Sequence, residues 1–185
     1  IKRLIPGKFK MWFVRRLISP YMGRIVQVFC RKTLMGARFN LKSVDPVSAA
    51  KIYFGVWESA EIRFSKKYVA ENDTIIELGS SVGVMLATLL STKTVKKYIA
   101  VEASPTAARV LQETIKEFDA KIVSQVNGAI SYSAEAFADF SETSFTGSRL
   151  SSLSKGTGPE TSHLCPIFTL SEIIEKEIYP KTEYV

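Results

Sequence analysis

The stretch Thr74-Ile-Ile-Glu-Leu-Gly-Ser-Ser-Val-Gly-Val84 joins a short apolar run to a glycine-rich turn. The run Thr74–Leu78 lacks polar alternation, which is typical of a buried strand in a parallel sheet. Gly79 and Gly83 allow the backbone to turn tightly and to approach a ligand without a Cβ in between. Turns of this kind usually hold phosphate at a helix N-terminus, but Glu77 places a negative charge there and would repel an anion. The stretch therefore predicts a strand–turn–helix unit that binds something other than a phosphate.

Strands and helices alternate regularly after this stretch. The pattern predicts a helix over Val82–Leu90, a strand over Lys97–Val101, a helix that Ser104-Pro105 opens and that runs to Phe118, and a strand over Lys121–Val126. Strand–helix–strand–helix–strand at this spacing favours an open, mostly parallel sheet. We therefore predict an α/β, Rossmann-like fold with helices on both faces of the sheet.

The segments on either side of this core carry weaker patterns. Upstream, residues 33–50 are predicted to form a connection and residues 59–70 a helix. Downstream, Ser141–Pro159 is rich in Ser, Thr and Gly and is predicted to be a loop. Short strands over 130–133, 137–140 and Pro166–Leu170, and a helix over Ser171–Glu177 with Ser171 as its N-cap, complete the prediction.

The net charge of +7 is concentrated in the N-terminal quarter of the 185 residues. Residues 1–45 hold eleven Lys or Arg and a single acid, Asp45, whereas the remainder has a slight excess of acids. We therefore divide the chain into a basic helical segment, 1–45, and a core domain, 46–185. Residues 8–32 are predicted to form two short amphipathic helices with basic and aromatic sides. Packing on the core and peripheral contact with an anionic membrane both fit this pattern.

Composition argues against several other functions. Cys30, Cys165 and the single histidine, His163, stand at no ligand spacing, so no metal site is predicted. No apolar run reaches the roughly 18 residues of a membrane-spanning helix. No nucleic-acid-binding motif is recognisable, so no nucleic-acid partner is expected. The two separated cysteines favour a reducing compartment, and we expect a cytoplasmic protein, with or without peripheral membrane contact.

The ends of the second and third predicted strands supply further polar groups. Glu102 stands 25 residues after Glu77, and its carboxylate can accept hydrogen bonds from two ribose hydroxyls. Asn127-Gly128-Ala129 offers a polar side chain and exposed backbone for a purine base. A nucleoside with cationic centres fits this pattern, and S-adenosyl-L-methionine carries both an ammonium and a sulfonium. The predicted cofactor contacts are Glu77, Gly79, Ser80, Ser81, Gly83, Glu102, Ala103, Asn127, Gly128 and Ala129.

Two alternative roles also fit the glycine-rich turn. A dinucleotide such as NAD would use the same turn, but the third glycine of the dinucleotide fingerprint is absent and Glu77 is unfavourable. A purely structural role of Glu77 beside the dipole of the following helix is the second alternative.

The motifs resemble those of class I S-adenosylmethionine-dependent methyltransferases and, within them, the FkbM-type family. The resemblance covers roughly residues 51–185. The segments that carry it are Tyr53-Phe-Gly-Val-Trp-Glu58, Ile76-Glu-Leu-Gly-Ser-Ser-Val-Gly83, Val101-Glu-Ala-Ser-Pro105, Val126-Asn-Gly-Ala-Ile130 and Phe168-Thr-Leu-Ser-Glu-Ile-Ile174.

The resemblance implies methyl transfer to hydroxyl oxygens, so a sugar, glycan or polyketide-type small molecule is the expected acceptor. Two departures stand out. The family usually has Ala-Asn where this chain has Ser80-Ser81, and the family's next strand, with its acidic-x-Glu-Gly element, does not occur before Val185. We therefore expect a sheet truncated at the C-terminus and a sequence that is a piece of a longer protein. The alternative is a catalytically impaired protein of this fold that acts as a membrane-surface or scaffold module.

A hydroxyl nucleophile benefits from a general base, and two residues are candidates. Glu58 follows an aromatic segment close to the first strand, although a surface or capping glutamate also fits. His163 lies in a segment predicted to be a loop, and histidine is the side chain that most often serves as a general base. Trp57 and Phe54 either stack on a sugar ring or pack in the core. Arg149, in the predicted loop, either contacts the acceptor or is solvated.

Overall fold

The computed structural model describes residues 19–119, 121–132, 135–142, 149–150 and 161–179. The first predicted basic helix, most of the predicted Ser141–Pro159 loop and residues 180–185 lie outside the described residues.

Three helices precede the sheet: α1 Ser19–Phe29, α2 Pro46–Tyr53 and α3 Ser59–Tyr68. α1 confirms the second of the two predicted basic helices, although Ser19 lies within the helix rather than at its N-cap. α3 confirms the predicted helix over 59–70. The prediction of a connection over 33–50 is wrong, because α2 begins within it. No helix in the described part of the chain is long and apolar enough to cross a bilayer.

α2 begins at a cap that the sequence already contains. Asp45 Oδ1 accepts hydrogen bonds from the N–H groups of Val47 at 2.9 Å and Ser48 at 3.1 Å, and Pro46 is the first helical residue. This is the same cap-and-proline pattern that predicts the helix after Ser104. The helix was therefore detectable from local sequence.

Three parallel strands form the sheet that the alternating pattern predicts. They are β1 Thr74–Leu78, β2 Lys97–Glu102 and β3 Val123–Asn127, with β2 between the other two. Leu78 pairs with Val101, and the final residues of β2 and β3 pair with each other. The carboxyl ends of all three strands therefore meet at one edge, which is where open α/β sheets bind ligands.

β1 is less buried than predicted. Leu78 has 53% of its surface exposed, and Thr74 is also exposed. Within the described residues, β1 pairs only with β2, so its other edge is open. β2 has a strand on each side and is buried from Tyr98 to Glu102. The prediction of a fully buried first strand is therefore wrong.

Helices cover both faces of this sheet, as predicted. α4 Val84–Thr92 and α5 Pro105–Ile115 cover one face, and α6 Leu170–Glu177 covers the other. On the first face the core consists of Leu86, Leu89, Tyr98, Ala100, Leu111 and Val123. On the second face it consists of Ile99, Val101, Val126 and Ile173.

The caps of α5 and α6 differ in how well the sequence predicts them. Ser104 caps α5, and its Oγ accepts the N–H of Ala107 at 3.0 Å, as predicted. The predicted Ser171 cap of α6 is wrong. Thr169 is the cap: its hydroxyl accepts the N–H of Glu172 at 3.2 Å, and the Glu172 carboxylate accepts the N–H of Thr169 at 2.7 Å. This reciprocal capping box satisfies two donors, which a cap at Ser171 would leave unpaired.

A second sheet follows β3; the sequence pattern predicted strands that overlap three of its four members but did not predict how they pair. Its strands are β4 Ala129–Ile130, β5 Phe137–Glu142, β6 Arg149–Leu150 and β7 Thr161–Phe168, in the order β4-β7-β5-β6. β4 and β7 are parallel, and the other pairs are antiparallel. β6 lies within the segment that was predicted to be a loop, which corrects that prediction. β7 starts at Thr161 rather than at Pro166, where the strand was predicted to start.

Residues before the predicted boundary at 45 contribute to the same core as residues after it. A Cβ on Gly23 of α1 would lie 1.8 Å from the backbone oxygen of Pro46, so glycine lets α1 and α2 approach closely. The shared cluster contains Val26, Phe39, Leu41, Val44, Ala49, Ile52, Trp57, Ile62, Val82, Val84, Ala87 and Val110. The division into 1–45 and 46–185 stays a prediction.

Candidate functional site

The glycine-rich turn is tied to the end of β2. The N–H groups of Gly79 and Ser80 both donate to the backbone oxygen of Val101, each at 2.9 Å. Gly79 has φ +79°, Ser81 has φ +48° and Gly83 has φ +83°, so the turn uses left-handed backbone at three positions. Serine adopts this conformation at a cost that glycine avoids. The turn therefore stays close to β2 and to the side chain at its end.

Glu102 is held in place by the backbone on either side of it. One carboxylate oxygen accepts the N–H of Ser81 at 2.6 Å, and the other accepts the N–H of Ser104 at 2.7 Å. Only 7% of the residue is exposed. Because each carboxylate oxygen has more than one lone pair, both can accept a further hydrogen bond from a ligand. The side chain is therefore a rigid, buried acceptor at the end of β2.

A cavity of about 440 Å³ opens at the strand ends, and we call it the strand-end cavity. It brings together seven of the predicted site residues. They are Glu58, Gly79, Ser81, Glu102, Ala103, Gly128 and Ala129. Its other lining residues are Trp57, Leu78, Val101, Ile130 and Phe140.

A second cavity of about 440 Å³, the adjoining cavity, shares Glu102 and Ala103 with the first. It lies between α5 and β7 and contains Asn127 and His163 of the predicted residues. Gln125 Nε2 donates to Asn127 Oδ1 at 2.7 Å and so fixes the orientation of that amide. Each cavity has a volume within the range of small-ligand sites, and together they suit an elongated ligand that passes Glu102.

Glu77 lies behind the turn and lines neither cavity. The phenol of Tyr98 donates to its carboxylate at 2.8 Å. Burial and, to a smaller extent, the negative charges of Glu58 and Glu102 raise the pKa of Glu77 to about 7, against the opposing effect of the hydrogen bonds with Tyr98 and Ser80. Glu77 therefore contributes to the electrostatic field at the strand ends rather than to direct contact.

Ser80 and Gly83 also line neither cavity, and both have structural roles. Ser80 is 2% exposed, and its hydroxyl donates to the backbone oxygen of Glu77 at 3.2 Å. A Cβ on Gly83 would lie 2.7 Å from Leu111 Cδ1 and 3.3 Å from Thr114 Cγ2. Gly83 thus lets the start of α4 pack against α5.

Glu58 has a strained backbone and a perturbed carboxyl group. Its φ of +46° lies in the left-handed region, where it precedes the first turn of α3 without a side-chain capping bond. Burial raises the pKa of Glu58, as do the charges of Glu61 and Glu102. Asn72 is also left-handed, but it is an exposed turn residue. The strain at Glu58 is therefore located at a half-buried acid in a cavity wall.

The sequence suggested that Trp57 and Phe54 either stack on a sugar ring or pack in the core. The two residues differ in their burial and contacts. Trp57 is 8% exposed and lines the strand-end cavity, and its buried Nε1–H has no acceptor at full hydrogen-bond geometry but is close enough to the Glu58 carboxylate to lower the pKa of that group. Phe54 is 36% exposed and packs edge-to-face on Tyr53, with ring centroids 5.2 Å apart. Trp57 thus belongs to both the core and the cavity wall.

His163 is on β7 rather than in a loop, which corrects the sequence prediction. Its backbone pairs with Phe140 of β5, and the two rings have centroids 5.4 Å apart. His163 Nε2 is buried and has no hydrogen-bond partner. The two catalytic candidates therefore line different cavities, Glu58 the strand-end cavity and His163 the adjoining cavity. Arg149 lies in β6.

Sequence reasoning missed Tyr98 and Phe140. The parallel register places Tyr98 on the same sheet face as Glu77, so the period-2 pattern of β1 and β2 could have found that contact. Phe140 reaches the strand-end cavity through the second sheet, and no local signal predicts it.

The electrostatics of the site favour a cation. Glu58, Glu77 and Glu102 interact with one another, and no Lys or Arg among the described residues lines the strand-end cavity. Arg109 lines the adjoining cavity. A pyrophosphate in the strand-end cavity would meet only like charge, so the residues do not fit NAD there. Across the described ranges, no His, Cys, Asp and Glu group has the arrangement of a metal site.

No protein-family model matches the chain, and no curated protein matches it, so the FkbM-type resemblance stays a prediction. A chain from the complex of the Haloferax volcanii Trm112 methyltransferase activator and a proposed methyltransferase is similar over 43% of this chain and 37% of its own length, with 23% identity and a TM-score of 0.33. The crystal structure of a proposed RNA methyltransferase from Pyrococcus horikoshii is similar over 71% of this chain and 54% of its own length, with 17% identity and a TM-score of 0.30. At such scores neither likeness supports an assignment of function.

Proposed function

We propose that this chain binds S-adenosyl-L-methionine and transfers its methyl group to a hydroxyl oxygen of a small-molecule or glycan acceptor, as an FkbM-type class I methyltransferase. The observation that carries the proposal is the group of carboxylates formed by Glu77 and Glu102, at the ends of β1 and β2, and by Glu58, which precedes α3 and lines the strand-end cavity with Glu102. A cationic ligand relieves the repulsion among these carboxylates, whereas a phosphate ligand increases it.

The residues present fit this cofactor. The preorganised carboxylate of Glu102 would hold the ribose hydroxyls, and Ala103, Asn127 and Gly128 would border the base. The position of a Cβ on Gly79 has no heavy atom within 4 Å, so the turn leaves open space for a ligand. When bound, the cofactor supplies an electrophilic methyl group on a sulfonium. The chain's own contribution is to hold the acceptor oxygen in line with that group.

Glu58 is the proposed general base. Its left-handed backbone costs roughly 1–2 kcal/mol for a non-glycine residue, and strain of this kind is typical of positions that aim a functional group. Its raised pKa makes the ionised carboxylate a better acceptor for the hydroxyl proton. His163 is the second candidate, for an acceptor that reaches the adjoining cavity.

Calorimetry of the intact chain with S-adenosyl-L-methionine tests cofactor binding. We expect saturable heat for the wild type and at least about a 100-fold weaker affinity for Glu102→Ala, because charge-assisted hydrogen bonds to the ribose are lost. Glu113→Ala is the matched control, since Glu113 is an exposed glutamate of α5 that pairs with Lys116 at 2.6 Å. Absence of heat with a folded wild type, or an equal loss in the control, would refute the proposal.

Glu58→Gln tests the base. We expect a fall in kcat of about 100-fold with hydroxyl acceptors, because a positioned general base contributes about that factor or more. Cofactor affinity should fall less than kcat does, because the amide keeps the shape of the side chain while only one of the three negative charges is lost. Loss of cofactor binding with unchanged kcat would assign Glu58 to cofactor binding instead.

Free thiols at Cys30 and Cys165 agree with the cytoplasmic location that belongs to this proposal.

A further inference from the structure

α1 is apolar on two opposite sides, and only one of them faces the protein. Gly23 and Val26 pack inward on α2 and its surroundings, and Gln27 Nε2 donates to the backbone oxygen of Val44 at 2.7 Å. The opposite side carries four large apolar residues. Their exposed fractions are 76% for Tyr21, 49% for Ile25, 65% for Val28 and 79% for Phe29. We call these four residues the α1 outward stripe.

Helical geometry makes this stripe continuous. Residues four apart along an α-helix lie on the same side, because the helix turns by about 100° per residue. Tyr21, Ile25 and Phe29 therefore form one row, and Val28 lies beside it. The row points away from the buried Val26. Several large apolar residues gathered on one exposed side differ from the single exposed apolar residues that are normal on a surface.

Basic residues border the stripe, and acidic residues are absent from the sequence around it. Arg24, Arg31 and Lys32 are exposed, and Lys32 forms a backbone bridge with the exposed Arg38. The sequence has no Asp or Glu before Asp45. Glu117 lines a small cavity together with Val28 and Arg31, and the Arg38 guanidinium lies over the Phe118 ring, 4.8 Å from its centroid, so Arg24 and Lys32 carry the charge argument.

We propose that the α1 outward stripe docks the protein on an anionic phospholipid surface. An apolar row bordered by Arg and Lys has the chemistry of a helix that lies in the membrane interface, with its apolar side chains among the acyl chains and its cations at the headgroups. A nucleic acid would use the cations and leave Ile25, Val28 and Phe29 without a role. The lipid surface is the partner that uses both features.

Co-sedimentation of the intact chain with vesicles tests this surface. The vesicles are phosphatidylcholine, either alone or with about 30% phosphatidylserine. We expect binding only to the anionic vesicles, and we expect it to weaken when salt rises from about 0.1 M to about 0.5 M, because salt screens the headgroup charge. Binding that is independent of phosphatidylserine, or no binding at all, overturns the proposal.

Variants locate the contact. Ile25→Ser with Phe29→Ser should weaken vesicle binding by about tenfold or more, since two apolar side chains no longer leave water. The matched control is Phe64→Ser with Tyr68→Ser on α3, where the exposed fractions are 63% and 61% and Lys67 lies over the Tyr68 ring. The control should bind vesicles as the wild type does. An equal loss in both variants shows a non-specific effect and overturns the proposal.

Two further outcomes assign the stripe to another occupant. If the α1 variant keeps full vesicle binding, the contact lies elsewhere, for example in residues 1–18. If light scattering shows a dimer that the α1 variant dissociates, the stripe is an interface between copies of this chain. Either result overturns the proposal. Circular dichroism and cofactor calorimetry of the same variants should match the wild type, which separates this test from that of the methyltransferase function.

Discussion

Two acidic side chains, Glu77 at the strand ends and Asp45 in the N-terminal region, have pKa values that shift in opposite directions. At the strand ends, Glu77 is half-buried near other carboxylates, and its pKa is raised to about 7. In the N-terminal region, burial also pushes the pKa of Asp45 upward, but hydrogen bonds from Ser48 and Val47 outweigh it and leave the pKa below its usual value. Asp45 has hydrogen-bond donors and the nearby Lys51 to stabilise its charge, whereas Glu77 has two hydroxyl partners and two further carboxylates nearby. This difference supports the proposed function, in which a cationic ligand would stabilise the strand-end acids.

The largest expected effect concerns Gly83, the second glycine of the glycine-rich turn. Gly83→Val should destabilise the protein by about 4 kcal/mol, because the left-handed backbone penalises a side chain and the new atoms collide with Leu111. Gly36 is the matched control in the N-terminal region, since its φ is +84° and a Cβ there would meet no atom within 4 Å. Gly36→Val should cost only about 2 kcal/mol. Urea unfolding compares the two, and equal losses would show that packing against α5 is unimportant.

The next effect concerns the pH dependence of stability. The folded pKa of Glu77, about 7, lies above its ordinary value of 4.5. The contribution of Glu77 to the free energy of unfolding is therefore fully present below pH 4.5 and is lost as the pH rises through 7. This loss amounts to roughly 3 kcal/mol at most. Glu77→Gln removes this loss, and its amide oxygen can still accept from Tyr98. We expect Glu77→Gln to be more stable than the wild type at pH 8 and similar to it near pH 4.5 in denaturant titrations.

The same residue links the fold to the proposed cofactor. A cation bound near Glu77 lowers its pKa, so cofactor binding near pH 7 should release protons. Calorimetry in two buffers of different ionisation enthalpy measures this release. The release should disappear in Glu77→Gln. If the wild type binds the cofactor without releasing protons, Glu77 does not sense the ligand charge and the contrast with Asp45 has no functional meaning.

The smallest effect concerns the acid of the N-terminal region. Asp45→Ala removes the acceptor for the N–H groups of Val47 and Ser48, and it should cost about 1 kcal/mol, as the loss of a helix cap typically does. Because the folded pKa of Asp45 is lowered, its contribution is present above its ordinary value of 3.8 and is lost as pH falls below that value. Thermal unfolding at pH 7 and pH 3 should show the difference between wild type and variant shrinking at the lower pH. A difference that grows toward acid pH would contradict the assignment.

Sequence reasoning worked best where the signal is local. The bounds of β1 and the cap of α5 at Ser104 match their predictions, because strand burial patterns and capping residues act within a few positions. The miss at α2 shows that a local signal, Asp45-Pro46, was available and overlooked. The misplacement of His163 is of another kind. β7 exists because it pairs with β5 and β4, and pairing across such a distance leaves little trace in the residues around His163.

Local sequence was enough to establish that strands and helices alternate and that the acids Glu77 and Glu102 stand at strand ends. It was enough because hydrophobic period and capping chemistry depend on neighbouring residues. The packed fold was needed to place Glu102 in the strand-end cavity and Glu77 behind the turn, and to complete the cavity wall with Trp57, Glu58 and Phe140. These features escape the linear sequence because a side chain's burial, partners and pKa depend on residues distant along the chain, which come together only on folding.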